Sequence, residues 1–138
     1  MSAAVFHFAF HVNNLEQACD FYGDVLGCTQ GRRSKTWVDF NFFGHQLSLH
    51  LGTPFAVTCT GKVAGKQVPM PHFGVILPQA EWQALAQRLT EMQIDFVLKP
   101  STRYAGQPGE QSTMFFCDPS GNPIEIKGFV DMSGVFAR

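Results

Sequence analysis

Short segments of alternating polar and apolar residues dominate this chain, and two segments show a helical spacing instead. Residues 6–12 alternate in character and are rich in aromatic side chains, which predicts a strand. Over residues 15–26, apolar side chains recur at i, i+3, i+4, i+7, i+10 and i+11, as on one face of a helix. Asn13 followed by Glu16 predicts the N-terminal cap of this helix, and Gly27 is placed to end it.

The next part of the chain predicts strands and then a less regular segment. Three strand-like segments follow the helix, at residues 29–33, 36–43 and 46–51. Gly44 and His45 are predicted to form the hairpin turn between the last two strands. Residues 52–71 contain prolines and glycines but few large apolar side chains, so we expect a linker or a lid.

The same order of elements then begins again. Residues 72–77 predict a strand, Pro78 opens a helix, and an apolar stripe follows from Trp82 to Met92. The remaining strand-like segments are residues 95–98, 113–116 and 123–129. The chain therefore predicts a βαβββ module stated twice, about 1–53 and 70–130, joined by a linker within a single domain. A helix between strands in each module indicates an α+β fold.

Composition and charge exclude several classes of function. Ten basic and eleven acidic side chains are spread along 138 residues without a Lys/Arg cluster, so we expect no nucleic-acid or membrane partner. No apolar run approaches the length of a membrane span. The four cysteines form no C-x-x-C pair, and the segment from Met1 to Ala4 contains no basic-then-apolar leader. These features favour a reduced, cytoplasmic protein.

The repeat also aligns residues that could bind a metal ion. His7 and His72 occupy the same position in the two modules, and Ser48 is the internal counterpart of Glu125. If the modules face each other, these side chains converge on one cavity. Two imidazoles and one carboxylate are the ligands of a facial 2-His-1-carboxylate site, which suits Fe(II), Mn(II), Zn(II) or Ni(II). The alternative is that each histidine is only a hydrogen-bonded structural residue and that the glutamate is the polar side of a half-buried strand.

Two sequence strings resemble a known superfamily. They are F-Y-x-x-V-L-G at residues 21–27 and D-P-x-G-N-x-I-E at residues 118–125. Together they are similar to the vicinal oxygen chelate superfamily, which includes glyoxalase I, extradiol ring-cleavage dioxygenases, fosfomycin-resistance thiol transferases and bleomycin-binding proteins. More narrowly, residues 37–40, 43–46 with His50, 71–74 and 109–111 resemble small predicted dioxygenases of the extradiol type.

The resemblance implies a fold and a ligand set. The fold would be two paired βαβββ modules that form a curved mixed sheet around a central cavity. The metal ligands would be His7, His72 and Glu125. Glyoxalase I places a fourth ligand where this chain has Ser48, and a serine hydroxyl is a poor ligand for these metals. Three protein ligands then remain, as in extradiol dioxygenases and in the fosfomycin-resistance thiol transferases. Fe(II) is the favoured metal, and Mn, Zn or Ni are the alternatives.

Further residues are candidates for catalysis and for substrate binding. His50 lies on the same strand face as Ser48, where it could transfer protons, act as a fourth ligand or hold a ligand in place. Arg103 and Tyr104 open a turn-rich loop, in which Arg103 could pair with a carboxylate or an enolate and Tyr104 could assist proton transfer. A solvated connection is the alternative for this loop. Trp37 either walls a substrate pocket or packs in the core. Ser48, which is a poor metal ligand, is a candidate for substrate binding.

We therefore expect an Fe(II)-dependent extradiol-type dioxygenase that acts on a small molecule. The alternative enzymes are a glyoxalase-like isomerase or lyase and a thiol transferase. A non-catalytic, bleomycin-type binding protein is the alternative outside enzymes. Since two-module relatives commonly pair, we also expect a homodimer, in which modules could be exchanged between subunits.

Overall fold

A computed structural model of the chain describes residues 3–138. Met1 and Ser2, which belong to the segment searched for a leader, lie outside the described residues. The chain divides into two compact units. The first contains the described residues up to Ala56 together with Asp118–Asn122, and the second contains Val57–Cys117 and Pro123–Arg138.

The first unit is a four-stranded mixed sheet with one helix. Its elements are β1 (His7–Val12), α1 (Leu15–Cys19), a π-helical continuation (Asp20–Val25), β2 (Thr29–Arg33), β3 (Trp37–Phe42) and β4 (His45–Leu51). The strand order is β1-β4-β3-β2, with β1 parallel to β4 and the other pairs antiparallel.

The second unit contains a sheet of the same topology and one additional hairpin. Its elements are β5 (Thr58–Val63), β6 (Lys66–Met70), β7 (Phe73–Pro78), α2 (Gln79–Glu91), β8 (Phe96–Arg103), β9 (Gln111–Cys117), β10 (Pro123–Phe129) and a 3-10 helix (Met132–Phe136). The main sheet has the order β7-β10-β9-β8, with β7 parallel to β10. Two mixed sheets with matching strand orders confirm the predicted α+β class.

Two local predictions were displaced by one residue. The side chain that caps α1 is that of Asn14, which accepts from the backbone N–H of Gln17 at 3.0 Å, whereas Asn13 was predicted. The turn between β3 and β4 consists of Phe43 and Gly44, at φ +51° and +93°, so His45 begins β4. A two-residue hairpin turn of this type needs a positive φ at both residues, and glycine supplies the second of them without strain.

The segment predicted as a linker or lid contains the two strands β5 and β6. They pair antiparallel around Ala64 and Gly65, both of which have positive φ. Val68 is fully buried in this hairpin. The sequence did not predict these strands, because the segment is polar and rich in glycine. In the part of the chain that the structure describes, no helix is long and apolar enough to cross a bilayer.

Side-chain alternation separates a helix-covered face of the second sheet from a polar face. Ile124 and Ile126 are fully buried, and the Trp82 indole of α2 donates to the Ile126 carbonyl at 2.9 Å. Successive residues of a strand point to opposite faces. Glu125 and Lys127 therefore lie on the face opposite α2, where each is partly exposed.

Candidate functional site

The second unit brings two of the predicted metal ligands together. His72 immediately precedes β7, and Glu125 lies on the neighbouring parallel strand β10. The His72 Nε2 atom lies 3.3 Å from Glu125 Oε1. Only 20% of the His72 side chain and 11% of the Glu125 side chain are exposed, so this carboxylate has lost most of its hydration.

The second polar atom of each side chain is held by another partner. His72 Nδ1 lies 2.8 Å from the Pro69 carbonyl, which can only accept, so Nδ1 carries the proton and Nε2 presents its lone pair. Glu125 Oε2 accepts from the Thr113 hydroxyl at 2.6 Å. Two acceptor atoms therefore face each other at 3.3 Å, and a cation bound to both would satisfy both lone pairs. This pair fits the divalent metal that the sequence predicted.

Gly74 permits the close approach of the strands that carry this pair. It lies directly beside Glu125 in the β7–β10 register. A Cβ atom at Gly74 would lie 1.5 Å from the main-chain oxygen of Glu125. Only glycine therefore fits without moving β7 away from β10.

His7 lies in the first unit, where its imidazole is oriented in a similar way. Its Nδ1 atom lies 2.8 Å from Gln46 Oε1, an acceptor, which again leaves the lone pair on Nε2. Gln46 Nε2 has a longer contact, 3.5 Å, with Asp39 Oδ2. Ser48 donates to Asp39 Oδ1 at 2.7 Å, so its hydroxyl already has a protein partner. Among residues 3–138, no three His, Cys, Asp or Glu side chains form a group that could hold a metal ion.

Two other predicted residues share the polar face of the first sheet. His50 and Trp37 are paired across β4 and β3, and their ring centroids are 6.5 Å apart. His50 is exposed and Trp37 is half-buried. Because His50 lies two residues after Ser48 on β4, both side chains are on one face, as predicted.

The second unit also contains a cavity of about 240 Å³ next to Glu125. Arg103 lines this cavity, whereas Tyr104 is 56% exposed and does not line it. The cavity is lined by the tip of the β5–β6 hairpin and by β8, β9 and β10, namely Lys62, Val63, Ala64, Ser101, Arg103, Gln111, Ser112, Thr113, Glu125 and Lys127.

Sequence reasoning missed the residues that orient the candidate ligands. These are Gln46 and Asp39 near His7, Pro69 behind His72, and Thr113 beside Glu125. The register between strands decides the contacts of Gln46, Asp39 and Thr113, and the sequence predicts which residues form strands more readily than how those strands pair. Pro69 lies only three residues before His72, and its contact depends on the local path of the chain. The alternation of β9, which places Thr113 on the face opposite the buried Met114, was the available signal for one of them.

Comparisons with known proteins agree with this architecture. Residues 4–126 match the model of the Glyoxalase/Bleomycin resistance protein/Dioxygenase superfamily. A crystal structure of a glyoxalase/bleomycin resistance protein/dioxygenase from Alicyclobacillus acidocaldarius is 30% identical, with 96% of each chain covered and a TM-score of 0.73.

A more distant relative shares the fold. The crystal structure of a lactoylglutathione lyase from Agrobacterium tumefaciens is 21% identical, covers 92% of this chain and 94% of its own, and has a TM-score of 0.65. A search of curated protein sequences finds no match. The family model spans most of the chain, and the first of these structures is 30% identical over nearly its whole length. The chain therefore belongs to the Glyoxalase/Bleomycin resistance protein/Dioxygenase superfamily.

Proposed function

We propose that this protein is a metal-dependent enzyme that chelates two neighbouring oxygen atoms of a small substrate, and that it is an Fe(II)-dependent extradiol-type dioxygenase. One observation carries the proposal. His72 Nε2 and Glu125 Oε1 face each other at 3.3 Å, while the second polar atom of each side chain is held by Pro69 or Thr113. A ligand that is held through its outer atom is oriented before the metal binds.

His7 is the third ligand in this proposal. Its Nδ1 atom is occupied by Gln46, so its Nε2 lone pair is available, as in His72. The histidine comes either from the same chain or from a second copy in a homodimer. Two imidazole nitrogens and one carboxylate oxygen form the facial set that favours non-haem Fe(II) and leaves positions for substrate and dioxygen.

The environment of Ser48 supports the dioxygenase over a four-ligand isomerase. Its hydroxyl donates to the Asp39 carboxylate at 2.7 Å, and the residue is buried. With three protein ligands, iron when bound would supply acidification of the substrate hydroxyls and the redox chemistry of dioxygen.

The remaining steps belong to side chains of the protein. His50, exposed on the polar face of the first sheet, is the proposed proton-transfer group, with Tyr104 as a second candidate. Trp37, paired across the strands with His50, is proposed to bind the substrate ring. Pro69 and Thr113 hold their ligands in one orientation throughout.

Metal analysis of anaerobically purified protein, followed by oxygen uptake with catechol, tests the proposal. Glu125→Gln should weaken Fe(II) binding at least about tenfold in calorimetric titration, because an amide is a poorer ligand of the same shape. Glu81→Gln, on the exposed face of α2, is the matched control. Unchanged affinity in Glu125→Gln would remove Glu125 from the metal site.

The same measurements separate the alternatives. His7→Ala should also lower metal affinity if His7 is the third ligand. Bound Zn or Ni without oxygen uptake would point to an isomerase, a lyase or a thiol transferase. Protein that binds no divalent metal under any of these conditions would point to non-catalytic binding of a small molecule.

A further inference from the structure

The cavity beside Glu125 is unusually basic for this chain. Lys62, Arg103 and Lys127 line it, three of the ten lysine and arginine residues of the protein. Lys62 lies near the tip of the β5–β6 hairpin, Arg103 ends β8, and Lys127 lies on β10. Three separate elements therefore direct cations at one cavity.

These cations are not neutralised by the protein. Among the described residues, no carboxylate forms an ion pair with Lys62, Arg103 or Lys127. Glu125 is the one acidic residue among those that line the cavity, and its two oxygens face Thr113 and His72. The cavity therefore has an excess of positive charge, which attracts an anionic ligand.

The cavity continues along the sheet from the proposed metal ligand. Glu125 pairs with Phe115 across β9 and β10, while Arg103 pairs with Gln111 at the other end of β9. Four residue steps separate the two positions, about 13 Å along the strands, and β9 lies between β8 and β10, which adds roughly 10 Å across the sheet. The long arginine side chain can shorten this span. Lys127 lies two residues from Glu125 on the same face, about 7 Å along the strand.

The size and the other lining groups define the ligand further. A volume of about 240 Å³ is smaller than the usual range for drug-sized ligands and is suited to a single ring or a short chain. Val63 and Ala64 provide an apolar wall, and Ser101 and Gln111 provide neutral hydrogen-bonding groups. The cavity thus combines an apolar wall with several cations.

We propose that this cavity binds an anionic substituent of the substrate, a carboxylate or a related oxyanion, on a molecule whose neighbouring oxygens would bind the metal that Glu125 and His72 are proposed to hold. The inference rests on the proposed function, because it extends the substrate from the metal pair into the basic cavity. Arg103 can bind the anion through two parallel hydrogen bonds, and the two lysines add charge from the hairpin and from β10.

Binding of benzoate and benzamide to metal-free protein tests the subsite without any metal chemistry. The two probes have nearly the same shape but differ in charge. In calorimetric titration with a chelator present, benzoate should bind at least about tenfold more tightly than benzamide, and added NaCl should reduce that preference. Arg103→Gln and Lys127→Gln should each remove most of the preference, and Lys62→Gln should reduce it. Lys35→Gln, an exposed residue that does not line the cavity, should leave it unchanged.

A second variant separates this inference from the proposed function. Glu125→Gln should weaken metal binding but retain the preference for benzoate, or increase it, because a negative charge has left the cavity wall. Equal affinity for benzoate and benzamide would overturn the anionic subsite, as would a preference that Lys35→Gln removes as well as Arg103→Gln. Either result would leave the metal-binding test untouched.

Discussion

Asp118→Ala should destabilise the protein strongly, because one buried carboxylate organises the D-P-S-G-N turn. Asp118 is 4% exposed. Its Oδ2 atom accepts from the Tyr22 hydroxyl at 2.8 Å and from Asn122 Nδ2 at 2.9 Å. Its Oδ1 atom accepts from the backbone N–H groups of Ser120 and Asn122, both at 2.9 Å. Within the first unit, the Asp118 side chain therefore links the helix residue Tyr22 to this turn.

The magnitude follows from the donors that lose their acceptor. Tyr22 is fully buried and Asn122 is 1% exposed, so their side-chain donors cannot turn to bulk water. Each unsatisfied buried donor costs about 1–3 kcal/mol, and the broken network as a whole about 3–5 kcal/mol. For a chain of this length, the loss corresponds to a fall in Tm of roughly 10–20 °C. Tyr22→Phe, which removes one hydrogen bond and keeps the ring, should cost about 1 kcal/mol.

Urea denaturation followed by far-UV circular dichroism measures these differences. Asp131→Ala is the matched control, because Asp131 accepts from the backbone and hydroxyl of Ser133 in a similar local motif but is exposed. Its loss should be much smaller. A loss below about 1 kcal/mol in Asp118→Ala, or equal losses in the two alanine variants, would refute the argument that burial makes this network important.

Three further results are expected. Gly74→Ala should lower the free energy of unfolding by at least about 2 kcal/mol and should also lower the metal affinity, because the new Cβ atom would meet the main chain of β10. Gly109 has open space around it, so Gly109→Ala should change neither quantity in parallel denaturation and metal titrations. Gln46→Leu should reduce the metal affinity about 10–100-fold in calorimetry, because the His7 imidazole would lose the partner that fixes its tautomer. An unchanged affinity would show that the His7–Gln46 contact is incidental. Burial raises the pKa of Cys28 to about 11. At pH 8, mass spectrometry should therefore find the exposed Cys59 alkylated by iodoacetamide well before Cys28, and the reaction of Cys28 should accelerate only as the pH approaches 11. Equal rates of the two cysteines at pH 8 would contradict the burial of Cys28.

The repeat made much of the fold predictable from the sequence. Both main sheets have the same strand order, and the predicted bounds of β2 and β10 match the structure. Period-2 alternation and a 3.6-residue apolar stripe specify such elements directly. The sequence did not predict the β5–β6 hairpin, because β5 contains threonine and glycine, is mostly exposed and has no apolar alternation. The pairing of β5 with β6 depends instead on the positive-φ turn at Ala64 and Gly65.

The candidate site was predictable only in part for a similar reason. The repeat register selected His72 and Glu125, and the structure places their side chains against each other. Thr113 was not selected, because its contact with Glu125 joins β9 to β10 and depends on strand register. Lys62 was not selected because its place in the cavity wall depends on where the unpredicted hairpin folds.

The two units place their carboxylates on different strands. In the second unit the carboxylate is on the strand β10, and Thr113 of β9 donates to it. In the first unit the equivalent position carries Ser48, which donates to Asp39 of β3. Each unit thus has a hydrogen bond between the third and fourth strands of its module, but at different positions. Ser48 and Asp39 are directly opposite each other, whereas Glu125 is opposite Phe115 and Thr113 lies diagonally across from it. Replacement of Ser48 by an acid would therefore put a second carboxylate beside Asp39.

Ser48→Glu should consequently be less stable than Ser48→Ala in metal-free protein. Ser48→Ala loses one hydrogen bond to a charged acceptor, about 1–3 kcal/mol, and removes bulk from a residue that is 7% exposed. Ser48→Glu loses the same bond, adds volume to a buried position and brings like charges together. Zn²⁺ should raise the Tm of Ser48→Glu more than that of Ser48→Ala in thermal-shift assays, because both variants keep the proposed ligands but only Ser48→Glu has two neighbouring carboxylates that can share a divalent cation. Two results would show that the Asp39 carboxylate does not face the side chain at position 48 in solution: equal stability of the two variants without metal, or an equal rise of both Tm values with Zn²⁺. The argument that Ser48 is excluded from the metal site would then lose its basis.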